Sequence, residues 1–417
     1  MPKGLRTALV RLHRWMGLGI AIFLVITGLT GSILAFRAPL DHLLNADLLT
    51  VSLKPGQKEL PIERMIDHAR EALPQAEPLF IPLARHPGES LVLLMRPRVG
   101  VMAALDYDQA FFDPYDGTLL GTRDSRRSLF DRRSTIGFIY KLHRQLALPP
   151  VWGGTILGLV AILWTIDSFA GFALTLPASG GTARKSFWAR WKISWTIKPR
   201  APPARRILDL HRAGGLWLWG MLLLFAWSSV MLSAGPVYQA IMERFVVYDE
   251  PRRNLPVLPP DQRDMRLDWR DALAAGRRHL PETAHRYGLT IEYESALARD
   301  LNRNLYIYYV RSDRDIRDDD GSTGLFIDGR TGELLTLSLP RKDGAAGNAF
   351  NQWMYGLHMA QVFGLPYRIL VALLGILVSG LSITGIIIWW KKRSARASLR
   401  RRDRLSQLPM RQIDVAE

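Results

Sequence analysis

The 417-residue chain contains no cysteine, which removes disulfides, thiolate metal sites, iron–sulfur clusters and the C-x-x-C-H attachment of covalent haem. Any metal or haem must be held by histidine, carboxylate or neutral groups. Neither G-x-G-x-x-G nor G-x-x-x-x-G-K-[ST] occurs in strand-to-helix context, so no nicotinamide, flavin or nucleotide domain is evident. Redox equivalents would come from outside the chain. Histidine is scarce, with nine in all, and acidic residues are outnumbered, 38 against 55 lysines and arginines.

The mean hydropathy of +0.01 hides strong segregation. Four apolar runs have the length and low charge of a membrane span: Trp15 to Phe36, Val151 to Leu176, Leu216 to Ser233 and Leu365 to Trp390. A net charge of +17 would suggest nucleic acid in a soluble protein, but the excess falls in three short pieces, Lys3 to Arg14, Arg184 to Arg206 and Lys391 to Arg404. The positive-inside rule makes these cytoplasmic. Both termini are then inside, and the blocks 37–142 and 235–354 lie on the far side. The first run is longer than a signal-peptide core and lacks a small-x-small cleavage site, so it reads as an uncleaved anchor.

The two far-side blocks share an order. In 37–142, a helix-like segment Ile62 to Arg70 precedes strand candidates at Leu91 to Met95 and Val101 to Tyr107, and Phe111 to Leu120 reads as strand, Asp-Gly turn, strand. In 235–354, Asp268 to Ala275 is helix-like, Asn304 to Val310 is a strand candidate, and Gly324 to Leu335 is again strand, turn, strand. The expected fold is an α-helical integral membrane protein of four spans in two repeats, each with an inserted α+β module. The chain divides at 1–36, 37–142, 143–176, 177–208, 209–234, 235–354, 355–390 and 391–417. Within 177–208, tryptophans alternate with cations from Phe187 to Trp195, the composition of a segment at the membrane surface in contact with lipid, or of a docking face for a donor protein.

Each span carries a histidine just ahead of it. Leu12-His13-Arg14 and Leu210-His211-Arg212 share a motif with glycine four residues after the histidine, and Leu142-His143-Arg144 and Leu357-His358-Met359 precede the other two. The topology puts His13 with His211 on one side and His143 with His358 on the other. A lone interfacial histidine needs no role beyond a polar tip in water, but four paired ones match bis-imidazole ligation of two b-type haems. Zinc fits less well, because two histidines per side do not complete a tetrahedron.

Gly17 and Gly215 fall on the same helical faces as His13 and His211 and leave room for a porphyrin. Gly17, Gly19, Gly28 and Gly31 also suit close helix packing. Arg14, Arg144 and Arg212 are candidates for pairing with haem propionates, although the inside location alone accounts for Arg14 and Arg212. Tyr140 and Tyr355 each stand three residues before the far-side histidines. Asp167 lies inside the second span, where a carboxylate is functional by default. A proton- or quinol-linked role and a structural hydrogen bond to a neighbouring helix both remain open for it. Trp164 and Trp227 are electron-relay candidates or simply membrane core.

The Leu-His-Arg heads, the Trp/Arg-rich loop and the paired Asp-Gly modules resemble the PepSY-associated transmembrane proteins, including the FoxB-type siderophore reductases. The resemblance implies a bacterial inner membrane and periplasmic PepSY-like modules. For the reductase branch it also implies two b haems, held by His13, His143, His211 and His358, that pass electrons from a cytoplasmic or quinol donor to a ferric siderophore. PepSY modules also occur in peptidase regulation, so a non-redox membrane-anchored module binding a peptide, protease or sensor is the rival reading.

Overall fold

The computed structural model describes residues 1–98, 104–125, 127–178, 186–318 and 321–406. In chain order it has helices α1 (Lys3–Leu34), α2 (Arg37–Leu44), α3 (Ala46–Leu49) and α4 (Ile62–Ala72), then strands β1 (Ala76–Pro82), β2 (Leu91–Pro97), β3 (Gln109–Phe112) and β4 (Leu119–Arg123). Helices α5 (Thr135–Gln145), α6 (Pro150–Thr175), α7 (Phe187–Trp191), α8 (Pro203–Trp217), α9 (Trp219–Ser233), α10 (Gly235–Met242), α11 (Pro251–Asn254) and α12 (Trp269–Tyr287) follow. The chain continues through β5 (Ile291–Asp300), β6 (Leu305–Ser312), β7 (Thr323–Asp328) and β8 (Leu334–Ser338) to α13 (Ala346–His358) and α14 (Gly364–Ser406).

Two compact units result, one made of Met1–Leu29, Val151–Ala234 and Leu373–Glu417, the other of Thr30–Pro150 and Gly235–Ala372. The first is helical. Gly4–Leu34, Pro150–Thr175 and Gly364–Leu399 are each long and apolar enough to cross a membrane. The third expected span is not one straight helix: α8 and α9 meet at Leu218 with a bend of 68°. Gly214, Gly215 and Gly220 crowd this point, and clustered glycine weakens a helix where it must turn.

Ile20 and Leu24 of α1 pack with Val160 of α6 and Leu374 and Val378 of α14. At the α1–α14 crossing, a Cβ on Gly28 would come within 2.6 Å of the Gly375 carbonyl oxygen. Only glycine allows that approach, and close backbone contact is how helices gain packing energy where no hydrophobic drive acts between them. Ser379 donates to the Val25 carbonyl at 3.3 Å across the same crossing.

The second unit is built on one antiparallel sheet in the order β4-β3-β2-β1-β5-β6-β7-β8. Both inserted stretches supply a helix followed by four strands. They do not form two separate modules, because β1 pairs with β5, with Ile81 opposite Leu297. Helices α4 and α12 contribute Met65, Ile66, Trp269 and Leu273 to a core that also takes Leu91, Tyr306 and Leu325 from the sheet. Trp269 is 2% exposed and meets the Tyr306 ring edge-on at 5.2 Å. Asp268 caps α12 through the backbone N–H groups of Arg270 and Asp271, the kind of contact that contributes about 1 kcal/mol.

The turns fall where Asp and Gly occur. Gly117 (φ +77°) joins β3 to β4 and Gly332 (φ +74°) joins β7 to β8, a left-handed geometry that glycine adopts without penalty. The strand expected at Val101 to Tyr107 is absent over 104–107, and its first residues lie outside the described set. Pairing with β2 starts only at Gln109.

Candidate functional site

His13 and His211 face each other in the helical unit with ring centroids 6.0 Å apart and planes inclined by 50°. His143 and His358 do the same in the sheet-bearing unit, at 6.5 Å and 61°. The four histidines thus group into the two pairs expected from the sequence. His13 and His211 lie within α1 and α8, whereas His143 and His358 sit at the C-terminal ends of the separate helices α5 and α13, ahead of the apolar helices that follow. Leu146 and Ala147 after α5, and Ala360 and Phe363 after α13, take left-handed backbone angles. These turns end each short helix at its histidine.

Three of the imidazoles are fixed through Nδ1. His13 donates to Asp167 Oδ1 at 2.9 Å. His211 donates to the Leu381 carbonyl at 3.0 Å and to Thr384 Oγ1 at 3.1 Å. His143 shares a 3.0 Å hydrogen bond with Thr30 Oγ1. An imidazole whose Nδ1–H is engaged presents Nε2 to a metal in a defined orientation. Burial first, and the facing His143 ring second, push His358 down to about 3 although part of its surface remains accessible. The neutral form of imidazole is the one that can bind a metal.

A glycine backs each of those three rings. A Cβ on Gly171 would lie 3.4 Å from His13 Cε1, one on Gly385 3.3 Å from His211 Cε1, and one on Gly31 3.1 Å from His143 Cε1. Gly171 stands one turn beyond Asp167, while Gly385 follows Thr384 and Gly31 follows Thr30. The neighbouring helix thus supplies both the acceptor for Nδ1 and the gap that the ring occupies. Gly31 was legible as a small residue of the first helix; Gly171, Gly385, Thr30 and Thr384 carry no motif that marks them.

Spacing tests the fit of a haem. A metal–imidazole bond of about 2.0 Å, with about 1.2 Å from ring nitrogen to ring centre, puts two trans imidazole centroids about 6.4 Å apart. The observed 6.0 and 6.5 Å bracket that value. Among the described residues there is no group of three or more His, Asp and Glu side chains that could hold a metal ion.

The first pair opens on a cavity of about 480 Å³ lined also by Gly17, Gly215, Arg14, Arg212 and Lys392, within the size range of small-molecule and cofactor sites. Both glycines keep it open. A Cβ on Gly17 would stand 3.7 Å from Asp167 Oδ2, and one on Gly215 would meet nothing within 4 Å among the described residues. Arg212 is bound to Asp209 at 2.9 Å and to the Ile193 carbonyl at 2.6 Å. Its Nε is buried with no hydrogen-bond partner among the described residues, an unmet donor beside the cavity. Lys392 is a cation on the cavity wall that the sequence motifs did not single out.

Arg144 is exposed and binds the Tyr140 hydroxyl at 3.0 Å. Arg37 covers the same Tyr140 ring at 5.1 Å, and Arg317 covers Tyr355 at 5.2 Å. Each histidine of the second pair thus has, three residues before it, a tyrosine faced by an arginine. Trp164 lines the first cavity. The Phe187 to Trp195 segment packs onto the end of α6, where Trp191 donates to Thr175 Oγ1 at 3.2 Å and Ser194 to the Thr175 carbonyl at 2.7 Å.

No curated protein matches the chain. The family model for the PepSY-associated TM region matches residues 10–392, a span that includes all four paired histidines, the apolar helices and every strand of the sheet. The chain is a multi-pass membrane protein and belongs to the PepSY-associated TM family.

Proposed function

We propose that the His13/His211 and His143/His358 pairs are the axial ligands of two b-type haems, and that the protein is an inner-membrane oxidoreductase of the FoxB type that reduces periplasmic ferric siderophores. The observation that supports this reading is the facing of the two histidine rings in each pair, at 6.0 and 6.5 Å between centroids, with Nδ1 of three rings already engaged. Bound haem supplies one-electron transfer between a donor on one side and an acceptor on the other.

The protein's own part is positional. Gly171, Gly385 and Gly31 let the rings sit against neighbouring helices. Asp167, Thr384 and Thr30 hold Nδ1, and Arg14, Arg212 and Lys392 offer cations to propionates at the first cavity. Arg144 and Arg37, gathered at Tyr140, are the corresponding cations at the second pair. The charge distribution of the sequence supports an orientation with His13/His211 and both termini on the cytoplasmic side and the sheet in the periplasm.

The donor is a cytoplasmic reductant or a quinol. A quinol oxidised to quinone gives up two electrons and two protons, so one quinol reduces two ferric ions. Reduction releases the metal because hard oxygen chelators hold ferrous iron weakly.

The absorption spectrum of the purified protein is the decisive test. Bis-imidazole haem bands at two haems per chain, and reoxidation of the reduced protein by a ferric siderophore with ferrous iron trapped by a chelator, are expected. A colourless, folded preparation would overturn the reading and leave a membrane-anchored binding module.

A further inference from the structure

The two pairs differ in what holds them. Thr30 and Thr384 offer hydroxyls and Leu381 a carbonyl, all neutral. Of these acceptors, the one that meets His13, Asp167, is a carboxylate. It lies inside α6, a helix long and apolar enough to span a membrane, and it is 7% exposed. Among the described residues its one side-chain hydrogen bond is the 2.9 Å contact with His13 Nδ1.

A buried carboxylate in such a helix is costly and is kept where it has work to do. Two of the cations that line the same cavity are bound elsewhere. Arg212 is bound to Asp209 and to the Ile193 carbonyl, and Arg6 donates to the carbonyls of Leu174 and Leu176.

Resting on the haem reading above, we propose that Asp167 is a positioning residue that sets the iron held by His13 and His211 at a lower reduction potential than the iron held by His143 and His358. The chemistry is that of a carboxylate–histidine–metal triad. A carboxylate acceptor draws the Nδ1 proton toward itself, makes the imidazole a stronger donor through Nε2 and favours the more positive, ferric state. A hydroxyl acceptor at the same nitrogen does this far less. With the lower potential at the entry pair and the higher at the exit pair, electrons run downhill toward the acceptor side, one at a time and without a proton crossing with them.

The test is a potentiometric titration of the full-length haem-loaded protein, followed by its visible spectrum, for wild type and Asp167→Asn. Asparagine keeps the shape and a carbonyl acceptor and removes the charge. In the wild type, the lower-potential component should be the one lost in His13→Ala. In Asp167→Asn, its ferrous-to-ferric ratio at a fixed ambient potential should rise at least tenfold, a shift of about 59 mV for one electron, with the other component unmoved.

Should Asp167→Asn lose its haem, the wild-type order of potentials decides the matter. An entry pair lying at or above the exit pair, or a haem-loaded Asp167→Asn protein with unchanged potential, overturns the proposal and leaves the haem reading intact. Absence of haem from the wild type overturns both.

Discussion

Thr30 Oγ1 lies 3.0 Å from His143 Nδ1, and the next residue, Gly31, has its Cα turned to the same ring so closely that a Cβ would reach 3.1 Å from Cε1. One turn of α1 therefore both orients the imidazole and makes space for it. His211 meets the same combination in Thr384 and Gly385.

Gly31→Ala should consequently disturb the second pair and spare the first. The new methyl must displace the His143 ring by a few tenths of an ångström, and overpacking of this kind costs about 1–3 kcal/mol. We expect a lower haem-to-protein ratio, with the loss confined to the spectral component that also disappears in His143→Ala. A loss falling on the component that depends on His13 would contradict the site geometry.

Pairing itself is checked with single alanine variants. His211→Ala and His13→Ala should remove the same component of the reduced-minus-oxidised spectrum, and His143→Ala and His358→Ala the other. If His13→Ala and His143→Ala abolish one common component, the two-pair arrangement is wrong.

Orientation follows from the basic segments. Reporter enzymes fused after Arg200 and at the C-terminus should be active only in a cytoplasmic assay, and one inserted near Pro55 only in a periplasmic assay. A periplasmic C-terminal reporter would end the assignment of the two histidine pairs to opposite sides.

Stability of the sheet-bearing unit should hinge on Trp269. Its ring is 2% exposed and joins α12 to Tyr306. Trp269→Ala should cost about 3–5 kcal/mol, read as a lowered midpoint of thermal unfolding by circular dichroism. Arg266→Ala, at a side chain 71% exposed, should leave the stability within about 0.5 kcal/mol of the parent's.

Much of this was legible in the residues, and the misses have identifiable causes. The apolar runs found the spanning helices because their length and lack of charge are physical requirements of the bilayer. The bend at Leu218 was not visible, since hydropathy is indifferent to direction; the glycines around it were the available signal. The histidines face each other in the expected pairs because each stands just ahead of an apolar run and the chain has few of them.

β1 and β5, the strands that join the two halves of the sheet, went unrecognised. β1 carries Pro78 and Pro82, which argue for an edge, yet it lies in the middle of the sheet and absorbs Pro78 with a register shift before Phe80. β5 runs Glu292-Tyr293-Glu294-Ser295 without clean alternation, because its polar side chains are engaged by arginines such as Arg277 and Arg311. Sequence showed two modules; which edges meet is a long-range matter that neither module encodes locally.

That seam also governs how the protein is made. Ile81 and its partner Leu297 are separated by more than 200 residues, about 10–40 s of synthesis at ordinary elongation rates. Throughout that interval the β1 edge has emerged and has no β5 to receive it, and an open strand edge invites wrong partners. The first half of the chain must therefore wait, half-assembled, while two further apolar helices are inserted and the second half follows. A truncated product ending before β5 should be prone to aggregation and proteolysis, since the β1 edge gains its partner only when the last four strands arrive.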